Sequence, residues 1–203
     1  LLPKTKSIAQ LKKLGSDRYL AEFTRKIFQS GFVWRVVNKK WSQFEEVFWG
    51  FDVERLLIMP DDMLERKAKD PAIIRNFSKV KTVRENAMMI DDTERLQQTP
   101  FGEFIAGWPT EDVVGLWLYL RKHGSRLGGN TGQYALRFMG KESFILSKDV
   151  VNALIREGVI ENEALSKKNL AAIQTAFNEW KAASGYNLNE ISRILAFSVG
   201  TVD

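Results

Sequence analysis

The sequence predicts an all-α protein. Apolar residues recur at helical spacing along most of the 203-residue chain. Strand-like alternation is limited to a short run near 144–146, and no segment repeats at a fixed period. We expect about ten mostly short helices, in a two-lobed helical bundle with a cleft between the lobes. A single domain, 1–203, would contain both lobes, with lobe A at about 1–95 and 166–203 and lobe B at about 96–165.

Capping signals divide the N-terminal half into helices. Asp17 precedes a long amphipathic run and Ser42 precedes a short one, so both are expected N-caps. Pro60 and Pro71 are placed as first-turn residues, because proline is tolerated where a helix begins. The helices expected here cover about 17–29, 33–40, 42–48, 60–68, 71–74 and 77–88. Polar residues at 91–93 and 97–100 predict a loop or a linker between the lobes.

The C-terminal half shows the same kind of signals. Thr110 is expected to cap an apolar helix that stops at Gly124, and Ser166 to cap a long amphipathic helix. A helix at about 150–155 has two candidate caps, Asp149 and Ser147. The expected helices cover about 110–123, 133–139, 150–155, 166–184 and 188–198.

The composition excludes several kinds of chemistry. The chain has no cysteine, which excludes disulfides, thiolate nucleophiles and cysteine-ligated zinc. It has one histidine, His123, and no spaced carboxylate cluster, so we expect no metal and no cofactor. Apolar runs such as 113–120 are too short to span a bilayer, and the N-terminus lacks the order of a signal peptide. We therefore expect a cytoplasmic protein with no membrane partner. The net charge of +5 favours a polyanionic partner, but only weakly.

A cluster of glycines separates two helical patterns at 127–132. Glycine permits positive φ and close backbone approach. The free N–H groups at the start of the second helix would form an anion site, for which a DNA phosphate is a fitting ligand. Arg126 and Arg137 add charge nearby. A plain helix–helix turn also explains the cluster and is the commoner use of glycine. No Gly-Lys-Ser/Thr follows, which excludes a Walker A loop.

Residues 127–135 resemble the hairpin of the helix-hairpin-helix DNA glycosylase superfamily, whose pattern is roughly Leu-Pro-Gly-x-Gly-x-x-Thr-Ala. Gly128 stands in place of the proline, and Thr131 in place of the second glycine. In that superfamily a catalytic aspartate follows after one more helix, and Asp149 lies at about that distance. Members that also cut the strand carry a lysine where this chain has Gln133. The resemblance therefore implies a monofunctional DNA glycosylase.

A second set of motifs lies in order, without obvious gaps, between residues 19 and 87. These motifs are Gly31-Phe32-Val33-Trp34, Phe51-Asp52, Ile73-Ile74-Arg75 with Lys79-Val80, and Asn86-Ala87. Their order resembles the 3-methyladenine DNA glycosylase I family, with its Ala-Gly-Leu-Ser-Trp, Phe-Asp-Pro and Ile-Ile-Arg-x-x-x-Lys-Ile signatures. The zinc ligands of typical members are absent, and Lys26 occupies the place of their base-recognising acid. The chain is thus similar to a divergent, zinc-less branch, in which Glu22 is a candidate replacement for that acid.

The two resemblances imply a base pocket and a DNA-contacting surface. Trp34 would stack on a flipped base, and the other candidate base-binding residues are Gln29, Glu22, Tyr19 and Phe28. Asp149 would be the catalytic carboxylate that stabilises a developing oxocarbenium and orients water. The candidate DNA-binding residues are Gly128, Gly129, Asn130, Thr131, Gly132, Arg126, Arg75 and Lys79. Core packing is the alternative for the aromatic residues other than Trp34.

The function that these resemblances imply is excision of alkylated purines such as 3-methyladenine in base-excision repair. The expected partner is double-stranded DNA containing alkylated bases, bound by a monomer in the bacterial nucleoid. A non-catalytic helix-hairpin-helix DNA-binding protein is the alternative, and Lys26 in place of the family's acid favours it. A helical protein–protein adaptor is a third class, which the basic charge and the glycine hairpin disfavour.

Overall fold

The prediction of an all-α fold is confirmed. A computed structural model of the chain describes residues 4–199, and this part contains no strand. It contains two short 3-10 helices, Trp49–Phe51 and Thr110–Asp112, and thirteen α-helices. The α-helices are α1 (Ile8–Lys12), α2 (Ser16–Gln29), α3 (Trp34–Lys39), α4 (Trp41–Val47), α5 (Val53–Leu57), α6 (Asp61–Ala68), α7 (Phe77–Gln97), α8 (Phe101–Gly107), α9 (Val113–His123), α10 (Asn130–Met139), α11 (Lys148–Arg156), α12 (Lys167–Ser184) and α13 (Leu188–Val199). Within residues 4–199, no helix is long and apolar enough to cross a membrane.

Helix α2 is the centre of the N-terminal half. It packs against α7 and α10, and it also contacts α3, α5 and α8. Phe23 and Ile27 lie on its inward face and are buried in the core. Aromatic residues of α4 and the following 3-10 helix close this core, with Trp41 stacked on Phe44 and Phe51. Because α2 contacts α3 and α10, its C-terminal end lies where these two helices meet.

The C-terminal helices pack on the α9–α11 region. Helix α12 lies against α9, and α13 lies against α11 and α12. The Gln174 side-chain oxygen accepts the Val114 N–H at 3.0 Å, and Asn189 Oδ1 accepts the Ser143 N–H at 3.0 Å. This packing differs from the expected lobes, in which residues after 166 joined the N-terminal helices. The cleft between lobes stays a prediction.

Several caps differ from those predicted. The N-cap of α2 is Gly15, and Asp17 lies in the first turn, where it accepts a hydrogen bond from Arg18. Asp112, not Thr110, caps α9 by accepting the Gly115 N–H at 3.2 Å. Ser42 lies inside α4, whereas Ser166 caps α12 as predicted. Several neighbouring polar side chains can supply a capping oxygen. The geometry of the first turn decides which of them accepts the backbone N–H.

The largest differences from prediction concern two stretches, near 91–97 and at 71–74. Helix α7 continues to Gln97, so it includes residues 91–93, which were expected to be a loop or a linker. Thr93 is buried there, while Asp91 and Asp92 pair with Arg95 on the outer face. The acidic residues are therefore the solvated face of a helix. The helix expected at 71–74 is absent, and Lys40 donates to backbone carbonyls of this irregular segment.

Candidate functional site

A cavity of about 150 Å³ lies where the end of α2, the start of α3 and the first turns of α10 meet. Its walls are formed by Lys26, Gln29, Ser30, Trp34, Asn130, Thr131 and Tyr134. In another protein, an enclosed apolar cavity of about 150 Å³ accommodates one benzene ring. The space is therefore large enough for a planar aromatic ring, and three separate helices create it.

Trp34, the residue predicted to stack on the base, lines this cavity. It is the first residue of α3, and 40% of its surface stays exposed. Its ring packs edge-to-face against Tyr134 and Phe138, with centroids 5.6 and 5.9 Å away. These two partners are four residues apart on α10, so they share one helical face. Neither was predicted as a pocket residue, although this spacing on an amphipathic helix was an available signal.

Lys26 places a positive charge in the wall of the cavity. Its side chain is 2% exposed, and Nζ lies 4.6 Å from the Trp34 ring centroid and 3.2 Å from that of Phe138. Nζ also donates to Gln29 Oε1 at 2.9 Å and lies 3.2 Å from Glu22 Oε1. Burial lowers the pKa of Lys26 and raises the pKa of Glu22, because each charge loses its contact with water.

Gln29 and Glu22, both predicted to bind the base, are placed differently. Gln29 is buried in the cavity wall, where its Nε2 donates to Asn38 Oδ1 at 3.0 Å. Glu22 belongs instead to the wall of a second cavity of about 190 Å³, together with Arg18 and Arg25. Of Gln29 and Glu22, only Gln29 therefore lines the same cavity as Trp34.

The predicted hairpin joins α9 to α10 through residues 124–129. Gly129 has φ 56° and ψ −142°, a conformation that strongly favours glycine. A Cβ on Gly132 would lie 2.4 Å from the Leu127 carbonyl oxygen, so a side chain does not fit there. Gly129 is the N-cap of α10 and has no side chain that could accept the first N–H groups of the helix. These N–H groups are therefore available to an anion. The first two residues of α10 also line the Trp34 cavity.

Two of the predicted DNA-contacting cations lie on the surface, and Arg126 belongs to the hairpin loop. Arg126 and Arg75 are both exposed, and Arg126 donates to Ser78 Oγ at 3.2 Å. Arg137 is buried instead, and its guanidinium donates to the Ser143 carbonyl oxygen at 3.4 Å. Burial lowers the pKa of Arg137 to about 10. Arg137 therefore does not present its charge on the surface beside the turn, contrary to expectation.

Lys79 does not reach the surface either. Its Nζ donates to the carbonyl oxygens of Ile27 at 2.7 Å and Phe28 at 3.3 Å, and also to that of Ser30. These carbonyls end α2, where a cation also complements the helix dipole. Lys141 makes the same kind of contact at the end of α8. The predicted phosphate contact of Lys79 is thus corrected, and part of the basic charge is used inside the protein.

The other two aromatic residues predicted to bind the base are core residues. Tyr19 and Phe28 are fully buried. The Tyr19 hydroxyl donates to the Leu11 carbonyl oxygen at 3.2 Å, and its ring packs edge-on against Phe101 at 5.3 Å. The Phe28 ring packs against Phe44 at 4.7 Å. Neither lines the cavity. Helical spacing does not distinguish an aromatic residue in the core from one in a pocket.

Asp149 is exposed in the first turn of α11. Ser147 is the N-cap of this helix and accepts the Val150 N–H at 3.3 Å, so the cap does not need the aspartate. Asp149 is not part of the wall of the Trp34 cavity. Its catalytic role stays a prediction.

Comparisons with known proteins agree with this architecture. Residues 14–114 match the family model described as methyladenine glycosylase. A crystal structure of 3-methyladenine DNA glycosylase I is similar, with a TM-score of 0.53 and 22% identity over 68% of this chain and 81% of that one. The same enzyme from Staphylococcus aureus gives a TM-score of 0.54 and 18% identity, over 64% of this chain and 82% of that one.

A third solved structure extends the likeness to the C-terminal half. An 8-oxoguanine glycosylase/lyase from Methanocaldococcus jannaschii, in complex with DNA containing 8-oxoguanine, gives a TM-score of 0.53. Identity is 16%, over 96% of this chain and 89% of that one. No curated protein sequence matches significantly. At these identities the solved structures establish the shared fold.

Proposed function

Since residues 14–114 match the methyladenine glycosylase family model, we propose that this chain is a monofunctional DNA N-glycosylase excising alkylated purines such as 3-methyladenine. The observation that carries the proposal is the shared wall of the Trp34 cavity. One side comes from α2 and α3, within the family match, and the other from the first turn of the hairpin helix α10. A flipped base and the DNA backbone beside it would then contact adjacent groups.

Binding would use stacking for the base and backbone amides for the phosphate. The base would pack on Trp34, whose orientation is supported by two aromatic residues of α10. The N-terminus of α10, which has no side-chain cap, would hold a phosphate, and the exposed Arg126 of the hairpin loop and the exposed Arg75 would contact further phosphates. This division suits a double-stranded DNA partner, since phosphate contacts position the duplex and base contacts select the lesion.

Hydrolysis would form a bond from the water oxygen to C1′ as the C1′–N bond breaks. The base leaves with the bonding electron pair, and the positive charge of an alkylated purine makes it a good leaving group. The Asp149 carboxylate would stabilise the oxocarbenium-like sugar and orient the water. Gln133 offers no amine for attack on C1′, so the strand would stay intact.

The alternative is a DNA-binding protein without base chemistry. The observation that favours it is Lys26, a buried cation at the place where the family carries its base-recognising acid. In that case the hairpin would still bind phosphate, and the Trp34 cavity would serve only to hold a base.

The test is release of free base from methylated duplex DNA in single-turnover conditions. Wild type should release base, and Trp34→Ala should be slower by about 5- to 150-fold, since stacking contributes ~1–3 kcal/mol per base. Trp180→Phe, a change in α12 outside the cavity wall, is the matched control and should keep the wild-type rate. DNA binding without base release would support the alternative, and the absence of salt-sensitive DNA binding would reject both functions.

A further inference from the structure

Beside the Trp34 ring, polar side chains form a chain of contacts in which every hydrogen bond has a fixed direction. Lys26 Nζ lies 3.2 Å from Glu22 Oε1, so the two charges of this pair balance each other. Lys26 Nζ also donates to Gln29 Oε1 at 2.9 Å, and Gln29 Nε2 donates to Asn38 Oδ1 at 3.0 Å. The chain of contacts therefore runs from an ion pair on α2 to α3, the helix that begins with Trp34.

Lys26 determines the orientation of the Gln29 amide. An amide side chain fits a site in two orientations, which exchange its oxygen and its nitrogen. An ammonium can only donate, so the amide atom that lies 2.9 Å from Lys26 Nζ is the oxygen. The opposite orientation would place two donors against each other, and both side chains are buried, where an unsatisfied polar group is costly. The nitrogen of the Gln29 amide is therefore held on the side away from the ammonium.

The Gln29 amide lines the Trp34 cavity and has one hydrogen left to donate. Its oxygen accepts from Lys26. Nε2 carries two hydrogens, and among residues 4–199 Asn38 accepts one of them. Gln29 is only 4% exposed, and a buried N–H without an acceptor is unfavourable. An acceptor atom on a base in the cavity would satisfy this second N–H.

We infer that Gln29 recognises the edge of the flipped base as a hydrogen-bond donor, and that Lys26 is a positioning residue that keeps this donor in place. The inference rests on the proposed glycosylase function and adds the group that reads the base edge. The base has to present an acceptor there, and 3-methyladenine does so, because its N1 and N7 carry no substituent. A hydrogen bond to a ring nitrogen also draws electron density from the base, which favours its departure with the C1′–N electron pair.

Two different contacts then divide the recognition of the base. Trp34 would stack on the face of the base, and stacking tolerates every base because each has a π-face. Gln29 would contact one edge, where bases differ in their donors and acceptors. Asn38 lies four residues after Trp34 on α3, so its bond to Gln29 also ties the stacking residue to the one that reads the edge.

The experiment measures the binding of free 3-methyladenine by calorimetry, at a pH at which this base is uncharged. The variants are Gln29→Glu, Gln29→Leu and Lys26→Met. Gln29→Glu decides between donor and acceptor, because a carboxylate keeps the shape of the amide but has no hydrogen to donate. Lys81→Met, at an exposed lysine of α7 paired with Glu85, is the control for Lys26→Met. Glu22→Gln combined with Lys26→Met removes both members of the ion pair and replaces the single variant if that one does not fold. NMR of 15N-labelled protein records the two side-chain amide hydrogens of Gln29.

Binding of 3-methyladenine should move one of these two Gln29 signals downfield. Gln29→Glu and Gln29→Leu should each weaken binding by about 2- to 13-fold, the effect of one hydrogen bond. Lys26→Met should weaken binding in the presence of Gln29 but hardly at all in the Gln29→Leu background, because Lys26 acts through Gln29. Lys81→Met should bind like wild type. Unchanged or tighter binding by Gln29→Glu would overturn the inference, as would unmoved Gln29 signals, additive effects of Lys26→Met and Gln29→Leu, or no binding by wild type.

Base release from methylated duplex DNA tests the proposed function separately. Release by wild type with unmoved Gln29 signals would support the enzyme and reject the donor role of Gln29. Binding of 3-methyladenine with the expected shift, but without release from any duplex, would reject the enzyme and support Gln29 as the donor of a base-binding site.

Discussion

The side-chain oxygen of Gln133 accepts a hydrogen bond from the backbone N–H of Leu146 at 2.7 Å. Both residues are buried. The bond joins the hairpin helix α10 to the extended segment that leads into α11. Since Asp149 follows only three residues after Leu146, the bond fixes the start of α11 relative to the hairpin. Gln133 thus serves as a structural link between α10 and α11.

Asp149→Asn should slow base release by about 10²-fold or more, because it removes the carboxylate that would stabilise the oxocarbenium. The free energy of unfolding should change little, because Asp149 is exposed and Ser147 makes the cap. The paired variant Ser147→Ala should lower the free energy of unfolding by about 1 kcal/mol and release base at close to the wild-type rate. Single-turnover release and urea unfolding measure both effects. Equal release rates for wild type and Asp149→Asn would reject the catalytic role.

Gly132→Ala should weaken the hairpin, because its new Cβ would lie 2.4 Å from the Leu127 carbonyl oxygen. We expect a loss of about 1–3 kcal/mol in the free energy of unfolding, together with weaker DNA binding. Gly107→Ala is the matched control, since a Cβ there meets no atom within 4 Å, and its stability should stay within ~0.5 kcal/mol of wild type. Thermal unfolding and DNA titration measure the outcome. Unchanged stability in Gly132→Ala would contradict the close approach.

Lys79→Met and Arg126→Ala test which of the two cations contacts phosphate and which one stabilises the fold from inside. Arg126 is exposed in the hairpin loop, so its loss should reduce the slope of log affinity against log salt by about 0.9, the value for one phosphate contact. Lys79→Met removes the donor to three carbonyl groups at the end of α2, and should lower the free energy of unfolding by roughly 1–3 kcal/mol. Its salt slope should equal that of wild type. A reduced slope in Lys79→Met would show that it contacts phosphate after all.

Lys26 should give stability a pH dependence that Lys26→Met lacks. Burial lowers the folded-state pKa of Lys26 below its ordinary value of 10.5. Between that lowered pKa and 10.5 the unfolded chain binds more protons than the folded one, so the free energy of unfolding rises with pH. The free energy of unfolding of wild type minus that of Lys26→Met should therefore increase as the pH approaches 10.5. Urea unfolding across this pH range measures the difference. Lys81 is exposed, so Lys81→Met is the control, and its free energy of unfolding should follow the pH dependence of wild type. A constant or falling difference would contradict the burial effect.

Local patterns predicted most of the helices. The helix at 60–68 and the cap at Ser166 agree with the structure, because proline and serine act through adjacent backbone groups. Residues 91–93 were assigned to a loop or a linker because of their polarity. They form the exposed face of a long helix, and only its packing against the rest of the fold reveals this.

The site was only partly predictable, because its walls come from distant parts of the sequence. Trp34 was found through its motif, and Asn130 and Thr131 through the hairpin. Tyr134 joins them because α2 packs against α10, a contact between segments about a hundred residues apart. Lys79 was misassigned because a lysine that binds backbone carbonyls looks the same in sequence as one that binds phosphate.

The glycines of the hairpin are unequal, and this affects how distant relatives should be recognised. Gly129 has a positive φ and Gly132 touches a carbonyl, whereas a Cβ on Gly128 would meet only the flexible Arg121 side chain, at 3.2 Å. Position 128 therefore accommodates a side chain more readily than positions 129 and 132. A search profile weighted on the glycines at 129 and 132 should retrieve divergent hairpins that the full Leu-Pro-Gly-x-Gly pattern overlooks.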